Sequence, residues 1–479
     1  VTPDEFRRYG HQLIDWIADY RARVRSRPVM AQTSPGAIKK QMPASPPDQP
    51  ESFETVLADL DRLVVPGLSH WAHPRFFAYF PSNGELSSVL GDVASTGLGV
   101  LGLAWQSSPA LTEIEEVATD WLRQMIGLSP AWNGVIQDTA STSTLLALLC
   151  AREKASGYSM ARGGLQSHTA PLVVYVSAHS HSSVEKAALL SGFGRENVRV
   201  VPHDTQWAMR PEALDAAVAA DRAAGRVPCA VVATTGTTTT TAVDPVDAVG
   251  AVARAHGLWL HVDAAMAGSA MILPECRWMW DGVEQADSIV VNPHKWLGAA
   301  FDCTVYFVRE PNDLIRVMST NPSYLQTEAD RVVKNFRDWG IPLGRRFRAL
   351  KLWFLIREQG VAALQARLRR DVANAAWLAA EVERAPDWRV LNRVVLQTVC
   401  VRHQPRGLAG DALDRHTLGW VHRLNQSGSA YLTPALLDGR WMARVSIGAL
   451  PTERADVEAV WREMREVSQN TGETPSRNG

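Results

Sequence analysis

Cysteine is scarce in this chain: Cys150, Cys229, Cys276, Cys303 and Cys400 are five in number, scattered, and free of any paired metal-ligand spacing. An odd, dispersed set argues against a disulfide scaffold or a cysteine-rich metal site, so reduced thiols in a cytoplasmic protein are expected. An excess of charge is also missing. Forty-nine Lys and Arg stand against fifty Asp and Glu, so no general field draws nucleic acid or an acidic membrane surface, and a phosphate ligand needs a local site. No apolar run approaches membrane-spanning length, and residues 1–8 turn polar and charged at once, unlike a secretory leader. Repeats and low-complexity blocks are absent apart from the threonine run at 237–241.

What is present is length and an ordinary globular composition. At 479 residues, 46% hydrophobic and 21% charged, the chain exceeds what one core usually organises, and a large domain with smaller attachments is expected. Thr2 and Glu5 have capping-box spacing, and Phe6, Leu13, Ile14 and Ile17 follow at near-helical intervals, predicting a helix to about Ala22. Six prolines between Arg27 and Pro50 then predict an extended connector. An amphipathic helix with such an arm cannot bury its apolar face alone, which points to docking on the main body or on a second subunit. From about residue 80 to 360, short β-rich runs alternate with helical stretches, the habit of a parallel sheet flanked by helices. The strand candidates are 172–177, 230–234, 258–262, 288–292 and 304–308, with a second group near 395–402 and 442–447. The expected division is an N-terminal helical and extended arm over 1–81, a large domain over 82–360 and a small α+β domain over 361–479.

Several strand ends carry chemistry. Ser288-Ile-Val-Val-Asn-Pro-His-Lys295-Trp sets a lysine just past a buried strand, where Pro293 stops further pairing. Open α/β sheets bind ligands beyond the carboxyl ends of such strands. Leu258-Trp-Leu-His-Val-Asp263-Ala-Ala brings a carboxylate to the same rim. Asp263 could be a turn or cap residue, or it could hold the pyridine nitrogen of pyridoxal phosphate protonated and keep that ring an electron sink. His261 points to the opposite face by strand alternation and is read as packing. A third strand end offers His179 and His181, and a fourth, Ala233-Thr-Thr-Gly-Thr-Thr238, offers hydroxyls and a turn. Gln137-Asp-Thr-Ala140-Ser141-Thr-Ser-Thr enters a helix whose first turn presents free N–H groups and hydroxyls, an anion cradle without a Walker-type lysine loop.

Taken in order, these segments resemble the group II pyridoxal-phosphate decarboxylases of the aromatic-L-amino-acid decarboxylase type. The likeness also includes Phe77-Ala-Tyr-Phe-Pro81, Ser108-Pro-Ala-Leu-Thr-Glu113, His181-Ser-Ser-Val-Glu185 and Ile341-Pro-Leu-Gly-Arg-Arg-Phe-Arg348, and spans nearly the whole chain. The resemblance implies fold type I, with a mainly parallel seven-stranded sheet flanked by helices, and a homodimer with shared active sites. It further implies that Lys295 carries the cofactor as a Schiff base, Asp263 pairs with the pyridinium, His181 stacks on the ring and Ala265 meets its other face. Thr238 would assist around the ring, Ala140, Ser141 and Asn292 would hold the phosphate, and His294 would sit beside the lysine. Trp71, Tyr79, Phe80 and Ser82 would line the substrate pocket, joined by Leu101 and Leu103 from the partner chain. Tyr324, in Asn321-Pro-Ser-Tyr324-Leu, matches the family's catalytic tyrosine on a mobile loop, which argues for amine formation over the aldehyde chemistry of relatives with phenylalanine there. Met266, Leu103 and Ser82 depart from the family's usual tyrosine, phenylalanine and threonine and bear on pocket shape. Gly344 stands where a serine accompanies phenolic or imidazole substrates, so tryptophan and phenylalanine are expected to be accepted at least as well as tyrosine, and glutamate poorly. The rival readings are an aromatic aldehyde synthase, a transaminase, and an inactive homologue acting as a binding protein.

Overall fold

In the computed structural model, residues 1–320 and 328–469 are described, and they form two compact units. The second unit, Ser82–Val372 with Asn392–Leu396, is built on a seven-stranded sheet. Its strands are β1 (Asn133–Gln137), β2 (Leu172–Ser177), β3 (Val198–Val201), β4 (Val227–Thr234), β5 (Trp259–Asp263), β6 (Ser288–Val291) and β7 (Thr304–Val308), in the order β1-β7-β6-β5-β4-β2-β3. Strands β3, β2, β4, β5 and β6 pair in parallel, whereas β7 runs antiparallel to both β6 and β1. The strand runs legible in the sequence all form, with ends shifted by up to three residues. Both faces are buried: β2, β5, β6 and β7 have no exposed position. Burial on both faces is why β7 looks like its parallel neighbours in sequence, since hydrophobic continuity reports burial and not direction.

The helices of this unit include four that bear on the site. Helix α5 (Ala140–Ala155) follows β1 and packs Leu146, Ala147, Cys150 and Ala151 into the cluster formed with Val174, Val232, Trp259 and Tyr306. The others, α3 (Leu86–Gly97), α4 (Pro109–Met125) and α6 (Ser182–Leu190), flank the sheet and its connections. Glu115 of α4 and Arg345 form a buried pair at 2.6 Å, and the same guanidinium donates to the Ile136 carbonyl at 2.7 Å, tying β1 to the 341–348 segment.

The first unit gathers Val1–Pro81, Ala373–Leu391 and Gln397–Gly479. A four-stranded antiparallel sheet, β10-β11-β9-β8, comprises β8 (Trp388–Val390), β9 (Thr398–His403), β10 (Thr433–Leu437) and β11 (Arg440–Ser446). Helix α1 (Pro3–Arg23) carries the expected capping box, with Thr2 N–H donating to Glu5 Oε2 at 2.8 Å and Glu5 N–H to Thr2 Oγ1 at 3.2 Å. No residue of α1 is buried; Tyr9 stacks on Phe53 of α2 (Phe53–Asp59), and Trp16 Nε1 donates to Asp61. No helix among the described residues is long and apolar enough to cross a membrane. All five cysteines are buried and free, and burial pushes Cys276 up to about 11, so these thiols are poor nucleophiles.

Candidate active site

Topology collects the candidate residues. Because β7 opposes both its neighbours, β1 runs in the same direction as the parallel strands, so the ends at Gln137, Ser177, Thr234, Asp263 and Val291 share one edge of the sheet. Past those ends lie Ala140 and Ser141, His181, Thr238, Ala265, and the turn from Asn292 to Lys295. Asp263 is buried and in register with Thr234 on one side and Val290 on the other. Its Oδ1 accepts the Ala265 N–H at 3.1 Å, and its own carbonyl accepts the Thr235 N–H at 2.9 Å.

The Lys295 turn is pinned from several directions. Asn292 N–H donates to the Ala265 carbonyl at 3.0 Å, and Lys295 N–H to the Asn292 carbonyl at 2.9 Å. Lys295 leaves helical geometry, at φ −91 and ψ −114, and its side chain is only half-buried. His294 Nδ1 accepts the Cys303 N–H at 3.0 Å, and its carbonyl accepts the Ser82 hydroxyl. Trp296, fully buried, donates to Asp371 at 2.9 Å, while Arg367 donates to the carbonyls of Trp296 and Leu297 at 2.9 and 2.6 Å. Gly84 is required by the same packing: a Cβ there would stand 2.7 Å from the Ala300 Cα, just where Glu85 N–H meets the Gly298 carbonyl at 2.8 Å.

Charge also bears on the grouping. Partial desolvation, followed by the Lys295 ammonium, lowers His181 below the ordinary imidazole value, while Asp263 works in the opposite direction. His181 thus lies within the field of both groups. Burial, then Lys295, pushes His294 down to about 4, leaving it a neutral acceptor and donor beside the lysine. His261 is fully buried, bonded through Nδ1 to Ser288 Oγ at 2.9 Å, and pushed by burial to about 4, in keeping with its reading as packing.

A phosphorylated ring fits this edge. Thr139, before α5, makes no capping bond with its side chain, and Ala140 and Ser141 open the first turn, where a helix leaves amides without intrahelical partners. The Thr304 hydroxyl stands 3.1 Å from the Asp138 carbonyl and 2.9 Å from Asn292 Oδ1, drawing the α5 entrance toward the lysine turn. The hydroxyls of Thr234 and Thr235, beside Asp263, are buried without a hydrogen-bond partner. An anion cradle, a buried carboxylate and a lysine therefore share one rim, with unused polar atoms on the next strand beside the carboxylate.

The model of the pyridoxal-dependent decarboxylase conserved domain matches residues 35–404. The chain belongs to the pyridoxal-dependent decarboxylase family. Its cofactor is pyridoxal phosphate, its fold is type I, and its reaction class is that of a carboxy-lyase. A tyrosine decarboxylase of Papaver somniferum is 38% identical to it, over 97% of this chain and 95% of the relative. A phenylacetaldehyde synthase of Arabidopsis thaliana is also 38% identical, over 97% and 96%. The crystal structure of Oryza sativa TDC with PLP and tryptamine superposes with a TM-score of 0.95 at 37% identity, covering 98% of each chain.

The remaining sequence candidates fall in different places. Ser82, Leu101, Leu103 and Gly344 belong to the second unit; Leu101 is exposed, Leu103 half-buried, and a Cβ on Gly344 would stand 3.2 Å from Leu101 Cδ1. Trp71, Tyr79 and Phe80 belong to the first unit, where Trp71 and Tyr79 are exposed and Phe80 lies under the Arg444 guanidinium at 4.9 Å. Met266 is buried behind Ala265. Tyr324 lies outside the described residues. Sequence reasoning passed over Phe301, a 63% exposed ring packed edge-on against His294 at 4.9 Å, and the Asp371 and Arg367 clamp on Trp296. An exposed aromatic six residues after the lysine was a readable signal; the clamp, about 75 residues away in sequence, had none.

Proposed function

We propose that the protein decarboxylates aromatic L-amino acids to the corresponding amines and carbon dioxide, as a cytoplasmic homodimer with shared active sites. The observation that carries this reading is the grouping of Asp263, Lys295 and His181 at one sheet edge, with His181 feeling both charges. Bound pyridoxal phosphate supplies an electron sink for the pair left on Cα when the carboxylate departs. Lys295 would hold the cofactor covalently. Asp263 would keep a proton on the ring nitrogen, with the imidazole of His181 and the small Ala265 side chain as its neighbours. The amides of Ala140 and Ser141, with Asn292, would hold the phosphate, while Thr238 and His294 would complete the surroundings.

Trp71, Tyr79, Phe80 and Ser82 would line the substrate side, with Leu101, Leu103 and the Gly344 that adjoins Leu101 contributed by the second copy, a surface that suits a large flat ring and offers little to a charged side chain. Tyr324 returns the proton to Cα, so that amine is released. The aldehyde-forming relative makes the alternative concrete, and the product distinguishes the two. Borohydride trapping of the lysine–cofactor bond, followed by peptide mapping, is expected to label Lys295, and Lys295→Ala should lose the cofactor's bound-form absorbance band. A label on any other lysine would overturn the assignment.

A further inference from the structure

Within the first unit, residues 75–79 owe their shape to a segment far away in sequence. Phe76 and Tyr431 form a parallel bridge, in which Phe77 N–H donates to the Tyr431 carbonyl at 2.9 Å and Tyr431 N–H to the Arg75 carbonyl at 3.2 Å. The chain then turns at Tyr79, whose φ of 53 lies in the left-handed region that a bulky residue rarely occupies. Its N–H donates to Thr433 Oγ1 at 2.6 Å, and its hydroxyl shares a hydrogen bond with the Tyr431 hydroxyl at 3.0 Å.

Four rings close on one another here. Trp71 stacks on Tyr79 at 5.6 Å and 11°, and on Phe76 at 4.5 Å. Tyr431 meets Phe76 and Tyr79 edge-on, at 5.5 and 5.9 Å. Phe76 is fully buried and Tyr431 half-buried, whereas Trp71 and Tyr79 are 39% and 46% exposed, so the first two form a base and the second two a presented face. Stacked rings can slide with little loss; a hydroxyl–hydroxyl bond is directional and cannot. Burial, with Tyr79 as the next cause, pushes Tyr431 up to about 12, so the phenol stays protonated across the working pH range.

We propose that Tyr431 is a positioning residue that fixes the ring of Tyr79 for aromatic substrates, an inference that rests on the reading of Tyr79 as a pocket residue. Tyr431 touches no reacting atom in this account. It acts through Tyr79, on binding in the ground and transition states alike, so its loss is felt in KM more than in kcat. The presented Trp71–Tyr79 face then accepts a flat ring in one orientation.

The test compares Tyr431→Phe, Tyr79→Phe, the double variant and Tyr79→Ala in the holoenzyme, by steady-state kinetics on tryptophan and tyrosine, with melting temperature and cofactor absorbance alongside. Tyr431→Phe keeps the edge contact and removes one hydrogen bond, so KM is expected to rise about 3- to 10-fold with kcat within about 2-fold. Tyr79→Phe removes the same bond from the other side, and the double variant should be no worse than either single one. The KM ratio should be the same at pH 6.5 and 8.5. Unchanged KM in Tyr431→Phe beside a raised KM in Tyr79→Phe, or additive effects in the double variant, would overturn the positioning role. A lower melting temperature with unchanged KM also overturns it, by assigning Tyr431 to stability alone. Unchanged KM in Tyr79→Ala instead removes Tyr79 from the pocket, so failure of the underlying reading is recognisable by itself.

Discussion

At the residue scale, Lys295 and Asp263 stand out as candidates because each ends a short apolar run, where a charged side chain is conspicuous and strand direction fixes which way it leads. His181 needed the family likeness to be separated from His179, since both follow the same strand and neither pattern nor period chooses between them. The supports were not legible at all: Asp371, Arg367 and Ser82 act on the lysine turn through contacts whose sequence separation leaves no local mark. Gly344 gains a physical basis from the structure, because its missing Cβ would press on Leu101 at 3.2 Å. Gly344→Ser should displace Leu101 and narrow the space for an indole, lowering kcat/KM for tryptophan relative to tyrosine by about 10-fold, the usual reach of one small pocket residue. An unchanged ranking of the two substrates would remove Gly344 from the specificity argument.

At the element scale, the runs at 172–177 and 304–308, with four or more β-branched or aromatic residues together, are the plainest strands, whereas β1, β3, β8 and β10 escape notice. Asn133-Gly-Val-Ile-Gln137 opens with two poor strand formers, yet becomes β1 because Gly134 fits where a Cβ would stand 2.7 Å from the Thr119 Cβ. Strand β3 escapes notice because it is only partly buried and Arg199 interrupts its apolar run, whereas the equally short β6 is buried throughout. Helix α1 follows its capping box as expected, but its apolar face stays unburied in the single chain. Helix α3 is similar: Leu86, Leu90 and Val93, at helical spacing, are 44–50% exposed. Unpaired apolar faces of this kind mark association surfaces, which supports the homodimer proposed above. Leu90→Asp should therefore shift the protein from dimer to monomer in sedimentation or light scattering and lower activity in proportion. A fully dimeric Leu90→Asp would place the interface elsewhere.

At the scale of the whole molecule, the sheet class was legible and the gathering of units was not, because residues 1–81 join 373–391 and 397–479 through contacts that no linker composition announces. Burial sets the acid response. His73, His261, His294 and His403 are each pushed by burial to about 4. An imidazole held neutral in this way stabilises the fold above its unfolded value of about 6.5, and that contribution is lost as pH falls toward 4. Asp244 and Asp371, raised by burial to about 6, act in the opposite sense and favour the fold as pH falls through the same window. Four groups against two give a net loss, so the melting temperature should fall steadily between pH 6.5 and 4.5. A flat or rising profile would mean that these histidines are not held neutral.

The central claim is tested most directly by supplying purified holoenzyme with tryptophan, phenylalanine, tyrosine, histidine and glutamate and measuring carbon dioxide, amine and aldehyde together. Tryptophan and phenylalanine should match or exceed tyrosine in kcat/KM, glutamate should be poor, and amine should equal carbon dioxide, with Tyr324→Phe diverting product toward aldehyde. A preference for glutamate or histidine, or aldehyde as the main product of the parent enzyme, would contradict the account.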